Sequence, residues 1–157
     1  MPANASIRAE HILIVDDNRG DTLLLTRALK AVAAHVIVEA APTGERALLR
    51  LRGEAEYAGQ PLPELVLLDC RLPRLDGFQV LDAVRADPSL RPVRVVMMSG
   101  LVTAAHLEDG ERRGASGHVQ KPDTAQDFAR LAAELVRFLS DAQASGLRFP
   151  ENLPDAY

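Results

Sequence analysis

The chain has 157 residues, 47% of them hydrophobic and 25% charged, with a formal charge of -4 at neutral pH and no tryptophan. That length suits one domain with an aliphatic core, hiding about two-thirds of its unfolded surface, and scattered Lys and Arg in a mildly acidic chain exclude a basic footprint for direct nucleic-acid binding. The single cysteine, Cys70, excludes an internal disulfide framework and suits a reducing, cytoplasmic setting, and no apolar run serves as a signal peptide or membrane span.

In chain order, residues 11–15 (HILIV) read as a first strand, and 21–32 (DTLLLTRALKAV) as a helix with Leu25, Ala28, Leu29 and Val32 on one face. Residues 36–40 (VIVEA) form a second strand, followed by a helix that presents Ala47, Leu48 and Leu51. A Pro-containing connection over 53–64 leads to a third strand at 65–68 (LVLL). The next helix, from 77, carries Phe78, Leu81 and Val84 at helical spacing until Pro88 stops it. A fourth strand spans 93–98 (VRVVMM), and a poorer helix covers 103–114, with few large apolar residues and an internal Gly110. This helix is expected to move. Residues 117–120 (GHVQ) make a fifth strand. The last helix starts at Thr124, with Asp127 three residues on as in a capping box, and buries Phe128, Leu131, Leu135 and Leu139.

Three of the strands are too continuously apolar for a sheet with one wet face, so helices must cover both sides. Right-handed crossovers turn five strand-helix repeats into an α/β doubly wound parallel sheet of order 2-1-3-4-5. The expected domain is 1–142, with its core at about 11–140. A tail over 143–157 with two prolines follows, and no output domain. Ligands of such sheets bind at the carboxyl ends of the strands, where the order reverses.

Those ends carry Asp16 and Asp17 after the first strand, Asp69 after the third, Ser99 after the fourth and Lys121 after the fifth. Each alone has a bland reading as a turn or cap residue. Together, three carboxylates in one crevice repel each other unless a cation answers them, and an all-oxygen, partly hydrated set suits Mg²⁺. Asp69, on the central strand, is the candidate nucleophile that forms an acyl phosphate, while Asp16 and Asp17 hold the metal. Lys121 and the Ser99 hydroxyl neutralise and orient the transferred oxygens.

With ILIVDDN, LVLLDCRLPRLDGF, VVMMSG and HVQKP in that order, the chain resembles the receiver domain of bacterial response regulators, with a flavodoxin-like, CheY-like (βα)₅ fold. The resemblance implies a response regulator of a two-component phosphorelay, a phosphoprotein that accepts phosphate on Asp69 from a sensor histidine kinase. Such a protein takes part in its own phosphorylation and dephosphorylation without being an enzyme in the usual sense. It implies the backbone carbonyl of Arg71 as a further Mg²⁺ ligand, Ser99 as switch hydroxyl, Lys121 as phosphate-binding lysine, Pro73 and Gly77 as shapers of the loop after Asp69, and Gly100 as the small residue beside the phosphate. It also implies a cis peptide before Pro122. Residues 53–81 and the short tail are similar to single-domain regulators that partner phytochrome-type kinases. Without an output domain, the signal is expected to leave by homodimerisation or partner docking through the face of the fourth helix, fifth strand and fifth helix, with the tail across it.

One departure stands out. The family has a Tyr or Phe three residues before the lysine, a ring that turns inward on phosphorylation, and here that position is His118, a switch candidate of altered chemistry. Cys70, beside the nucleophile, reads as a packing residue. The competing reading is a pseudo-receiver interaction module that does not use phosphate, usually marked by a lost acidic or lysine residue, and none is lost here. Asp16–Asp17 adjacency discounts a haloacid-dehalogenase-type phosphatase, and the acidic DDNRGD loop discounts a flavodoxin-like cofactor binder.

Overall fold

The computed structural model describes residues 9–141, so the tail at 143–157 lies outside the described residues. Strand β1 (Glu10–Val15) leads through α1 (Arg19–Val32) to β2 (Val36–Ala41), and α2 (Gly44–Arg52) leads to β3 (Leu65–Asp69). Then α3 (Gly77–Ala86) precedes β4 (Arg94–Ser99), α4 (Ala104–Arg112) precedes β5 (Gly117–Gln120), and α5 (Ala125–Asp141) closes the described chain. The five strands pair in parallel in the order β2-β1-β3-β4-β5. Between β1 and β3 the order reverses, so the two loops that follow them part to opposite faces and leave a crevice.

Strand periodicity divides the core in two. Ile12, Ile14, Leu65, Leu67, Val96 and Met98 pack against Leu25 and Leu29 of α1 and Phe128, Leu131 and Leu135 of α5. Their neighbours Leu13, Val15, Val66, Leu68, Val95 and Met97 face the other way, onto Ala47, Leu48 and Leu51 of α2 and Val80, Leu81 and Val84 of α3. Helix α4 gives the core little: Gly110 is its buried residue. The thin apolar content of 103–114 has this direct structural counterpart.

Three details differ from the sequence pattern, and a fourth, the Thr124 cap, is as expected. Val32, placed on the buried face of α1, is 47% exposed, because the helix ends there and Ala33, turned extended, enters the core in its place. Phe78 is half-buried, with the Arg113 guanidinium 5.3 Å from its ring centre. The Thr124 cap forms, its Oγ1 accepting from the Asp127 N–H at 3.1 Å. The peptide before Pro122 is trans, as are all others among the described residues. Trans is the lower-energy form of an X-Pro bond, by about 0.5–1 kcal/mol.

The 53–64 connection is anchored more firmly than its composition suggests. Gly53, left-handed at φ 64°, ends α2, and a single 3₁₀ turn follows at Ala55–Tyr57. Arg50, buried at 1% exposure, donates to the Pro61 carbonyl at 2.8 Å and holds the far end of the connection against α2.

Candidate functional site

At the end of β1 the Asp16 N–H bonds the Ala41 carbonyl of β2, which keeps Asp16 in the sheet's edge of hydrogen bonds before the chain turns away. Asn18 then caps α1: its side chain accepts from the Asp21 N–H at 3.1 Å, while its own N–H donates to Asp16 Oδ1 at 2.9 Å. This tight turn buries Asp16, leaves Asp17 exposed and brings Asp21, in the first helical turn, back to the rim. On the adjacent strand, β3 runs out at Asp69, whose Oδ1 accepts from the Arg71 N–H at 2.9 Å. Carboxylate oxygens of Asp16, Asp17 and Asp69 lie within 4.8 Å of one another.

Lys121 reaches into this cluster from the end of β5. Its Nζ lies 2.8 Å from Asp16 Oδ2, 3.1 Å from Asp21 Oδ2 and 3.2 Å from Asp69 Oδ2. Its backbone N–H bonds the Ser99 carbonyl at 2.7 Å and so ties the lysine to the end of β4. One ammonium therefore serves three carboxylates, with a fourth, Asp17, close by. Burial raises the Asp16 carboxyl above its usual value, against the pull of Lys121 and the Asn18 N–H. Burial also works against the lysine's charge, but the bonds to Asp16 and Asp21 outweigh it and push the ammonium's pKa well up. The all-oxygen donor set and its surplus of negative charge fit a hard divalent cation.

The loop after Asp69 is shaped by a steric demand. A Cβ on Gly77 would sit 2.1 Å from the Asp69 carbonyl oxygen and 2.8 Å from Cys70 Cα, so a side chain there would push the loop off the strand end. The Gly77 N–H instead bonds the Cys70 carbonyl at 3.1 Å. Asp76 and Gln79 cap α3 reciprocally, and exposed Pro73 precedes Arg74, which has φ 66°. Gly100 answers a different need: a Cβ there would meet nothing within 4 Å, so the missing side chain leaves open space beside Ser99.

Ser99 and His118 form a second group on the same rim. Ser99 Oγ lies 2.9 Å from His118 Nε2 and 3.1 Å from the Leu101 carbonyl. Cys70 Sγ is 3.7 Å from the same ring nitrogen, and burial together with the Asp69 charge pushes its thiol up to about 12. Burial, then the neighbouring His106, lowers the His118 imidazole, with the His106 backbone opposing.

Asp16, Asp17, Asp69 and Lys121 thus meet as their strand-end positions predict, while the Ser99 hydroxyl is engaged with His118. Two residues escaped the sequence reading. Asp21 is one, although the Asn18 cap three residues earlier in DDNRGD was a legible sign that its carboxylate enters at the first turn. The other is His106, which stacks on His118 from α4 with no local signal.

Residues 12–133 match the response regulator receiver domain family. The chain belongs to that family. As a receiver domain it is not a classical enzyme, and its fold and acidic pocket are those expected from the motifs. The receiver is 34% identical over 131 residues to the probable methanogenesis regulatory protein FilR2 of Methanothrix harundinacea, covering 81% of each chain. Among solved structures it is similar to the phosphorylated cyanobacterial phytochrome response regulator RcpA, at 27% identity and TM-score 0.79, covering 86% of this chain and 96% of that one. The response regulator RPA3017 in red light signaling of R. palustris is 27% identical with TM-score 0.75, over 82% of this receiver and 92% of its own chain. Among the described residues no helix is long and apolar enough to cross a membrane.

Proposed function

We propose that this receiver is a cytoplasmic phosphoacceptor of a two-component phosphorelay, with Asp69 taking the phosphoryl group. The observation that carries this reading is the division of labour at the Asp69 carboxylate. Oδ1 is held by the Arg71 N–H, which aims the group, while Oδ2 faces an ammonium on a flexible stem that can yield to an incoming phosphorus. Oδ2 attacks the phosphorus of a phosphohistidine; the O–P bond forms as the P–N bond breaks, and the departing imidazole takes up a proton. Lys121 then moves its charge to the phosphoryl oxygens, with Asp16 and Asp21 keeping it at the rim.

Asp16, Asp17, Asp69 and the Arg71 backbone carbonyl would hold Mg²⁺, which when bound neutralises charge on the transferred group. Gly100 leaves access for that group, and the Ser99 hydroxyl orients one of its oxygens. The pseudo-receiver alternative has no comparable support, since every acidic residue and the lysine are in place.

The donor in this reading is a sensor histidine kinase of phytochrome type. Support comes from the likeness to RcpA and RPA3017, whose names refer to phytochrome and red light signalling. Helix α1 offers such a partner a foothold beside Asp16, where Leu23 and Leu24 are 50% and 42% exposed. Output runs through the α4–β5–α5 face, by homodimerisation or docking, helped by the exposed Leu101 and Leu107 and by an α4 that the core holds weakly.

Incubation of wild type and Asp69→Asn with acetyl phosphate and Mg²⁺, followed by intact and native mass measurement, tests the reading. Wild type gains one phosphoryl group and shifts toward dimer, while the variant does neither. Equal labelling of both proteins overturns the assignment of Asp69, and an unchanging monomer overturns the dimer.

A further inference from the structure

Ser99 is buried at the end of β4, and two groups claim its hydroxyl: the Leu101 carbonyl at 3.1 Å and His118 Nε2 at 2.9 Å. The hydroxyl has one proton to give. Donated to Leu101, it leaves Oγ to accept from a protonated Nε2. Donated to His118, it leaves the Leu101 carbonyl to His106, whose Nδ1 lies 3.3 Å from the same oxygen. In both arrangements the imidazole is bonded to Ser99.

The ring of His118 is itself held from several sides. It stacks on His106 of α4, with centroids 6.2 Å apart and 25° between the planes. Gly110, the buried residue of α4, faces the ring, and even a Cβ there would reach only ordinary contact, 3.8 Å from Nδ1. Cys70 Sγ packs 3.7 Å from Nε2. This half-buried ring is already bonded to Ser99 through Nε2, unlike a ring that turns inward only on phosphorylation.

We propose that His118 is a positioning residue that holds the Ser99 hydroxyl, so that phosphoryl acceptance is an exchange of hydrogen-bond partners at Ser99, from imidazole to phosphoryl oxygen. This rests on the phosphoacceptor reading of Asp69. Bonding a phosphoryl oxygen costs Ser99 its bond to His118, and the stability of the charged state reflects the difference between the two bonds. Release also leaves the Leu101 carbonyl to His106 at the first turn of α4, so the exchange is felt in the helix that gives the core least.

Beryllofluoride with Mg²⁺ serves as the probe, titrated into wild type, His118→Phe, His118→Gln, Ser99→Ala and the Ser99→Ala/His118→Phe double variant. A phenyl ring fills the place without the bond, so His118→Phe lowers the half-saturating concentration about two- to tenfold, the worth of one hydrogen bond. Glutamine restores a bonding group and stays near wild type. With Ser99 already removed, the phenylalanine substitution changes nothing further. A second readout needs no probe: the His118 imidazole nitrogen resonances of metal-free protein shift on Ser99→Ala. An equal effect of His118→Phe with and without Ser99, identical behaviour of the Gln and Phe variants, or unmoved imidazole resonances overturns the proposal while leaving Asp69 as acceptor. Failure of wild type to bind beryllofluoride overturns both readings together.

Discussion

The receiver carries two clusters of buried charge built from the same kinds of residue, and they behave in opposite ways. Around Arg50 the account is closed: its guanidinium grips both oxygens of Glu39 at 2.6 and 3.0 Å and the Pro61 carbonyl at 2.8 Å. Glu39 also meets His11 Nδ1 at 3.3 Å, and the His11 N–H donates to Glu64 Oε2 at 2.6 Å. At the strand ends a single ammonium is divided among Asp16, Asp21 and Asp69, with Asp17 exposed beside them. The first cluster has nothing left to bind and acts as scaffold, joining β1, β2, α2 and the 53–64 connection. The second is short of positive charge and open to solvent, and is therefore where an incoming cation and phosphoryl group gain most.

The largest effect expected from this contrast is on stability. Arg50→Ala leaves the partly exposed Glu39 without its main partner and the Pro61 carbonyl without its donor, and should cost about 3 kcal/mol, the upper end for hydrogen bonds made to a charged group. The urea midpoint measures it, and the Mg²⁺ response of the variant should persist. A variant as stable as wild type would break the division between the clusters.

Next is the metal. Mg²⁺ at a hundredfold excess over its dissociation constant should stabilise wild type by about 2.7 kcal/mol, and Asp17→Asn should weaken that gain. Thermal melts with and without Mg²⁺ read this directly. An unchanged gain in Asp17→Asn would remove Asp17 from the metal set.

A smaller effect concerns acid. The bond from Arg50, against the cost of burial and with help from His11, holds the Glu39 carboxyl below its ordinary value. The unfolded chain therefore takes up this proton first as pH falls. The pair's contribution is full above the unfolded carboxyl's pKa of about 4.3 and is lost as pH drops through the depressed folded value. Glu39→Gln should flatten that part of the stability curve, and an unaltered curve would show that the cluster does not titrate as a unit.

The smallest concerns Cys70. With its thiol pushed up to about 12, it should react with iodoacetamide far more slowly in the folded receiver than in the urea-unfolded chain. Equal rates at pH 8 would show that the rim beside Asp69 is looser than its packing indicates.

Much of this was legible beforehand, for reasons visible in particular residues. The strands read correctly because residues such as Ile12–Val15 and Leu65–Leu68 are buried on both faces and leave no polar alternation to confuse the period. The convergence of Asp16, Asp17, Asp69 and Lys121 was legible because successive βα units deliver strand ends to one rim. Arg50 did not, since a charged residue between Leu49 and Leu51 looks like an ordinary solvated position until Glu39 arrives from another element. Val32 misled because its place on the helical face was right, but the helix ends there.

The sequence by itself determined the alternation of strands and helices, the sheet order and the acidic residues at the strand ends, because periodicity, turn chemistry and handed crossovers act over short stretches of chain. Only the tertiary structure decided which charges are answered and which are not: Asp21 against Lys121, Arg50 against Glu39, Ser99 against His118. Those pairings join residues on separate elements, and electrostatic and hydrogen-bond energies depend on distances of a few ångströms that no local pattern encodes.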